Sequence, residues 1–248
     1  MFISDRGLFP PQAVKAAVSA YDAEIAYADS ALGGLLRRLA GLGAADRTIV
    51  AVVSDHGESM GELIDRYGYG FDHGEFLYRH QLRVPVVFRV PQTLLTARGA
   101  MHTAPVSLID VMPTVLELLQ ITVPPLCQGI SLVPIMKGQR LQEIAARDIF
   151  SERRAFKKAP RPCLEGEAWS LISGKRHLIV STARGPELFD FEADPGETRN
   201  VYTQSSRAQT LHERLRCRIE ANRALFEPVS FEDDPDALER LKALGYIR

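Results

Sequence analysis

Thr48-Ile-Val-Ala-Val-Val-Ser-Asp-His-Gly-Glu58 joins an unbroken apolar run to an acid and an imidazole set side by side. Residues 48 to 53 read as a buried β-strand, being short, β-branched and free of polar breaks after Thr48. Asp55 and His56 then fall at the end of that strand. Ligands collect at the carboxyl ends of strands in open α/β sheets, and an oxygen donor beside a nitrogen donor suits a divalent cation. Gly57 lets the backbone turn sharply beside them. A Gly-rich aromatic stretch, Tyr67-Gly-Tyr-Gly-Phe71, leads to a second acid–imidazole pair, Asp72-His73. The same residues also fit a plainer reading, with Asp55 capping the next turn, His56 solvated, and His73 bonded to a neighbouring carboxylate such as Asp72.

Working outward, apolar residues from Val14 through Tyr21, Ile25 and Leu32 to Leu39 recur every three or four positions. This predicts a long amphipathic helix from about Pro10 to Ala40, opened by Pro10 and Pro11 and closed by Gly41 and Gly43. Gly33-Gly34 within it costs about 1 kcal/mol per Gly relative to Ala, and a close backbone contact is one reason for such a pair. Val84–Val90 reads as a second buried strand, with Pro85 at its start. Val106–Leu119 has helical spacing, and Pro113 either starts the helix or kinks it. Helices alternating with apolar strands predict an α/β core with a mainly parallel sheet flanked by helices.

The texture changes near residue 147. Ser151–Pro162 carries Arg153, Arg154, Lys157, Lys158 and Arg161 with two prolines, and reads as a loop with a solvated basic face; an anion-binding role is the alternative. Short β-like stretches at Trp169–Ile172, His177–Ser181 and Glu187–Phe191 are separated by turn signals. A basic amphipathic helix follows through Leu211, Leu215, Ile219 and Phe226. These predict a small antiparallel sheet with a packed helix, appended to the α/β core.

The chain has 248 residues, 46% hydrophobic and 25% charged, which is ordinary globular composition. A net charge of -1 points to neither nucleic acid nor an anionic membrane surface. Cys127, Cys163 and Cys217 are odd in number and widely spaced, so they form no disulfide framework or zinc knuckle. No apolar run approaches the roughly 18 to 20 residues that span a bilayer, and Met1–Arg6 does not resemble a signal peptide. As written, the chain is expected to stay in the cytosol.

Taken together, Tyr21–Asp29, Leu32-Gly33 and Asp46–Glu58 resemble the second half of the catalytic domain of the sulfatase family, within the alkaline-phosphatase-like superfamily. The likeness continues in order through His73-Gly74, Leu77-Tyr78, Leu82–Phe88, Val106–Thr114 and Gly129–Leu132. Glu187–Asp190, Asp194–Glu197 with Asn200, and Leu241–Tyr246 are similar to the family's carboxy-terminal region. The resemblance implies that residues 1–146 form the second half of the α/β catalytic domain and residues 147–248 the carboxy-terminal subdomain. It implies that Asp55 and His56 are metal ligands and that His73 contacts the sulfate or phosphate group and assists the leaving oxygen. Calcium is the implied cation, while a histidine ligand leaves manganese, magnesium and zinc open. His80, His102, His177 and His212 match no site pattern and are expected to be surface or structural.

The family's opening Asp-Asp pair and its Cys-x-Pro-x-Arg nucleophile motif have no counterpart in this sequence. The resemblance therefore implies sulfuric ester hydrolysis by a site of which this chain holds one half, the rest being encoded separately, lost, or upstream of Met1. The isolated chain is expected to be inactive and to expose apolar surface where strands are missing. Phosphate or phosphonate ester hydrolysis or phosphoglycerol transfer on the same scaffold is the alternative, and a non-catalytic remnant or interaction module is another. Membrane attachment is expected only through upstream segments, which many relatives have, and that leaves the location open.

Overall fold

The computed structural model describes residues 11–95, 99–156, 159, 162–225 and 239–240. Helix α1 spans Pro11–Gly41, in line with the apolar repeat. Strand β1 (Val50–Val53) follows a 3-10 turn. Strand β2 (Ser59–Leu63), a single helical turn α2 (Ile64–Tyr67) and β3 (Tyr69–Asp72) then form an irregular hairpin. Next come the short helix α3 (Arg79–Leu82) and β4 (Val86–Arg89).

Strands β1 and β4 pair antiparallel, Val50 opposite Arg89 and Val53 opposite Val86. The mainly parallel sheet expected from the sequence is therefore not what the described residues form: every strand pairing among them is antiparallel. A parallel return needs a crossover, usually a helix laid along the sheet. Here the link from β1 to β4 is a hairpin and one short helix, so the chain turns back. Nor is β1 buried as expected; its residues alternate between partly buried and exposed, and each of the two strands keeps one unpaired edge. Near Gly33 and Gly34 only the side chain of Arg37 comes within 4 Å of an added Cβ, so among the described residues no close backbone contact explains the pair. Large apolar side chains left exposed fall mostly in this first half, among them Tyr27, Val53, Val87, Ile109, Met112 and Leu126.

Helix α4 (Val111–Leu118) is preceded by a 3-10 turn, with Pro113 in its first turn. Asp110 is fully buried at this junction. It accepts hydrogen bonds from Ser107 N at 2.8 Å, Ile130 N at 2.9 Å and Arg147 Nη1 at 2.9 Å. Thr114 Oγ1 in turn accepts from Leu132 N at 2.8 Å. Gly129 passes so close that an added Cβ would lie 2.0 Å from Ile109 O. Two short helices, α5 (Val133–Met136) and α6 (Leu141–Ala145), follow.

The carboxy-terminal sheet has four antiparallel strands in sequential order: β5 (Asp148–Arg153), β6 (Ala168–Ser173), β7 (Arg176–Ser181) and β8 (Glu187–Asp190). The last three match the predicted stretches. Strand β5, whose last three residues fall in the predicted loop, is not legible because its charges break the apolar pattern, and Arg153 is buried rather than solvated. Lys157, Lys158, Arg161, Phe226, Asp233-Asp234 and Leu241–Tyr246 lie outside the described residues. Helix α7 (Ala208–Leu225) packs on one face of the sheet, with Leu211 and Leu215 against Leu171, Leu178 and Leu188. The opposite face, through Ala168, Ile179 and Phe189, packs against Leu63, Tyr69, Phe76, Leu77 and Tyr78. Successive residues thus point to opposite cores, as the period of a strand requires. No helix among the described residues is long and apolar enough to cross a membrane.

Leu188 is fully enclosed whereas Val87 is 55% exposed. Leu188→Ala is expected to cost about 2–5 kcal/mol, and Val87→Ala less than about 1 kcal/mol, in urea unfolding. Equal costs would contradict this division of the fold into a cored and an uncovered part.

Candidate functional site

The loop after β1 brings Asp55, His56 and His73 together. His56 Nδ1–H donates to Gly57 O at 2.9 Å, leaving Nε2 as the free nitrogen of the neutral ring. That Nε2 lies 3.6 Å from Asp55 Oδ1, and both side chains are open to solvent. Two donors sharing one cation at about 2.0–2.4 Å each stand roughly 3.0–3.5 Å apart at common coordination angles. The pair therefore fits a shared ion after a small shift. Among the described residues no group of three or more His, Cys, Asp or Glu side chains is arranged to hold a metal.

The ring of His73 stacks on that of His56, with centroids 3.6 Å apart and planes at 18°. His73 Nδ1 bonds to Glu58 Oε2 at 3.0 Å, not to the side chain of Asp72, whose Oδ1 instead accepts from the His73 backbone N–H. Glu58 thus turns His73 so that Nε2 is its remaining nitrogen. Sequence reading did not single out Glu58, although its place two residues after His56 was visible.

Gly57 has a reason beyond a sharp turn. Its N–H donates to Gln81 O at 2.7 Å, and an added Cβ would lie 2.1 Å from His80 O. The loop is thereby pressed onto α3. His80 is half-buried, and burial lowers its pKa against the opposing pull of Glu62, Glu197 and Glu58, so it is neutral near pH 7. His177 is fully enclosed, His212 bonds to Tyr202 Oη at 2.7 Å, and His102 is exposed.

Beneath the site, Tyr78 Oη donates to Glu187, 3.0 Å from Oε1 and 2.9 Å from Oε2, and Tyr67 and Tyr78 hydroxyls lie 2.9 Å apart. Arg66 and Arg184 neutralise Glu187. Glu75, two residues after His73, accepts from Tyr69 Oη. Burial raises the Glu75 pKa, Asp72 adds to the rise, and the Tyr69 bond only partly offsets it.

A family model described as "Sulfatase" matches residues 4–121, and one described as "N-sulphoglucosamine sulphohydrolase, C-terminal" matches residues 67–224. An arylsulfatase of Clostridium perfringens is 29% identical over 79% of this chain and 38% of its own length. A choline-sulfatase of Rhizobium meliloti is 32% identical over 73% of this chain and 32% of its own. This chain thus spans about a third of the length of these relatives. Among solved structures, a putative sulfatase from Bacteroides thetaiotaomicron superposes with a TM-score of 0.69 at 21% identity, over 87% of this chain and 44% of that one. A phosphonate monoester hydrolase from Silicibacter pomeroyi superposes with a TM-score of 0.62 at 26% identity, over 82% and 40%.

Two outcomes follow from this geometry. Gly57→Ala is expected to lower stability by about 1–3 kcal/mol, because the new methyl meets backbone rather than a yielding side chain; an unchanged urea midpoint would contradict the contact. The folded chain keeps Glu75 protonated to higher pH than the unfolded chain does. Its ionisation therefore favours unfolding as pH rises through the folded pKa. Glu75→Gln should raise the urea midpoint at about pH 8 and lose most of that gain at about pH 4, below the ordinary glutamate pKa. A gain equal at both pH values would rule this out.

Proposed function

The chain belongs to the sulfatase family, and from that membership we propose that it carries one half of a metal-assisted sulfuric ester hydrolase site. The convergence of Asp55 Oδ1 and His56 Nε2 beneath the stacked ring of His73 is the observation that supports this reading most. Asp55 and His56 are the cation ligands, and His73 is the residue for the substrate anion. Sulfatase-family proteins typically use a calcium ion; the histidine ligand keeps manganese, magnesium and zinc open as alternatives here. When bound, the cation supplies positive charge opposite the ester oxygens, where charge builds in the transition state.

The chain's own part in the reaction follows from its hydrogen bonds. With Nδ1–H held by Glu58, His73 offers Nε2 to the ester. In its protonated form it donates the Nε2 proton to the bridging ester oxygen as the bond from that oxygen to sulfur breaks, so that the alcohol departs neutral. Glu58 balances the imidazolium charge, as an orienting carboxylate does for a catalytic histidine. Asp55 and His56 are exposed; His56 can close on a cation through Nε2 while keeping its Nδ1–H bond to Gly57 O, and Asp55 Oδ1 has only the His56 amide to release.

Residues 1–146 are the second half of the catalytic domain in this reading, and residues 147–248 its carboxy-terminal subdomain. The remaining metal ligands and the nucleophile come from a segment outside this sequence. That segment covers β1 and β4, whose Val53 and Val87 are exposed and which each keep one unpaired edge. A second reading, phosphonate or phosphate ester hydrolysis, draws support from the likeness to the Silicibacter phosphonate monoester hydrolase.

Two ligands alone bind weakly, so titration calorimetry of this chain with calcium or manganese should give a Kd no tighter than about 10⁻³ M. Tight 1:1 binding would contradict the half-site. Alone, the chain should turn over neither 4-nitrophenyl sulfate nor 4-nitrophenyl phosphate. Supplying in trans the amino-terminal part of a related arylsulfatase, up to the matched region, should restore turnover of the sulfate. Asp55→Ala or His73→Ala should then reduce it by at least about a hundredfold. Restored turnover that survives both substitutions would remove these residues from the mechanism.

A further inference from the structure

We propose that Glu197, in the turn after β8, is a positioning residue for the Asp55–Glu58 loop, acting through α3. The inference rests on the reading of that loop as the cation and substrate site. Glu197 itself touches none of the proposed ligands.

The turn that carries Glu197 is tightly built. Asp194 Oδ1 accepts from Thr198 Oγ1 at 3.0 Å and Asp194 Oδ2 from Arg199 N at 2.8 Å. Glu197 N donates to Asp194 O at 3.0 Å, and Glu197 has a φ of 52°. A left-handed conformation is unfavourable for a long side chain, and such a residue persists only where its surroundings over-determine it. What over-determines Glu197 is its buried carboxylate, only 3% exposed. Oε1 bonds to Nδ1 of the fully buried His177 on β7 at 2.5 Å. Oε2 accepts from Arg79 N at 2.8 Å.

Arg79 is the first residue of α3, and Tyr78 before it provides no side-chain cap. Glu197 therefore satisfies, from 118 positions away, a backbone N–H that the short helix leaves open. Arg79 is further pinned by its guanidinium, which lies over the Phe191 ring at 4.2 Å. The other end of α3 holds the site loop, through Gln81 O to Gly57 N and the close approach of Gly57 to His80 O. Gly57 stands between His56 and Glu58, and Glu58 orients His73. A continuous line of contacts thus runs from β7 through His177, Glu197, α3 and Gly57 to the reacting side chains. A carboxylate suits this joint because an ionised acceptor makes the stronger bond to a backbone N–H.

Residue-resolved amide hydrogen exchange on this chain tests the joint without relying on turnover. Arg79→Pro removes the N–H that Glu197 accepts, at a first helical position where proline is favoured and after a residue already extended. Arg79→Ala removes the same guanidinium but keeps the N–H. Gly57 is expected to exchange at least about tenfold faster in Arg79→Pro than in Arg79→Ala. Leu171 and Leu178, in the core of the carboxy-terminal sheet, should stay within about threefold in both. Glu197→Gln, which keeps an acceptor oxygen, should leave Gly57 protected. Equal Gly57 exchange in the proline and alanine variants would overturn the proposal. So would a rise at Leu171 and Leu178 as large as that at Gly57, since that is the mark of a merely structural bond. Either result stands whether or not the chain proves to hydrolyse sulfate esters.

Discussion

Everything that holds the site depends on a sheet buried on both faces. Along β7 and β8, Leu178 and Leu188 point to α7 while Ile179 and Phe189 point to the hairpin that leads into the site. An isolated two-stranded hairpin is marginal in water, and β2–β3 has an irregular register besides. It becomes a fixed element because Leu63, Tyr69 and Phe76 are packed against a sheet that is itself braced from behind. Each enclosed side chain of this kind contributes on the order of 1.5–3 kcal/mol, and the two cores share one backbone. Loosening either face would be felt on the other.

Buried charges mark the joints between these parts. Asp110 with Arg147 ties α4 to the start of β5, and Glu187 with Arg66 and Arg184 ties β8 to α2. Such pairs add little net stability, because desolvation offsets most of the attraction, but losing one partner strands a charge indoors. Their effect is to fix register. Tyr78 shows how: its ring lies in the apolar core while its hydroxyl reaches Glu187, so it fits in one orientation.

The sequence was legible where one physical rule acted alone. The long α1 repeat, the strands around Leu171, Leu178 and Leu188, and the placement of Asp55-His56 after an apolar run could all be read directly. Reading failed where a second rule competed. Strand β5 was masked by Asp148, Glu152 and Arg153, charges tolerated there because Asp148 pairs with Arg214 and Arg153 is folded against Phe156. The hairpin at residues 59–72 could not be read because Gly61, Gly68 and Gly70 hide the alternation. An apolar run such as Val50–Val53 carries no sign of its neighbour's direction, so antiparallel pairing could not be read from it. Glu197 was visible only within a stretch that resembles the family's carboxy-terminal region, because its partners Arg79 and His177 lie far away in sequence.

These facts reverse the usual relation between a strand and the ligand at its tip. In an open α/β sheet, neighbouring strands fix the strand end, and the strand end presents the ligand. Here β1 has one paired neighbour and partly exposed faces, so it can fix Asp55 only loosely. The firm anchorage lies on the far side of the proposed ligands, where Gly57 is held against α3 and α3 against the turn at Glu197. The side of the loop nearer the carboxy-terminal sheet is therefore set by the chain itself. The side nearer β1 awaits whatever covers that strand, and closure of the proposed cation site depends on both.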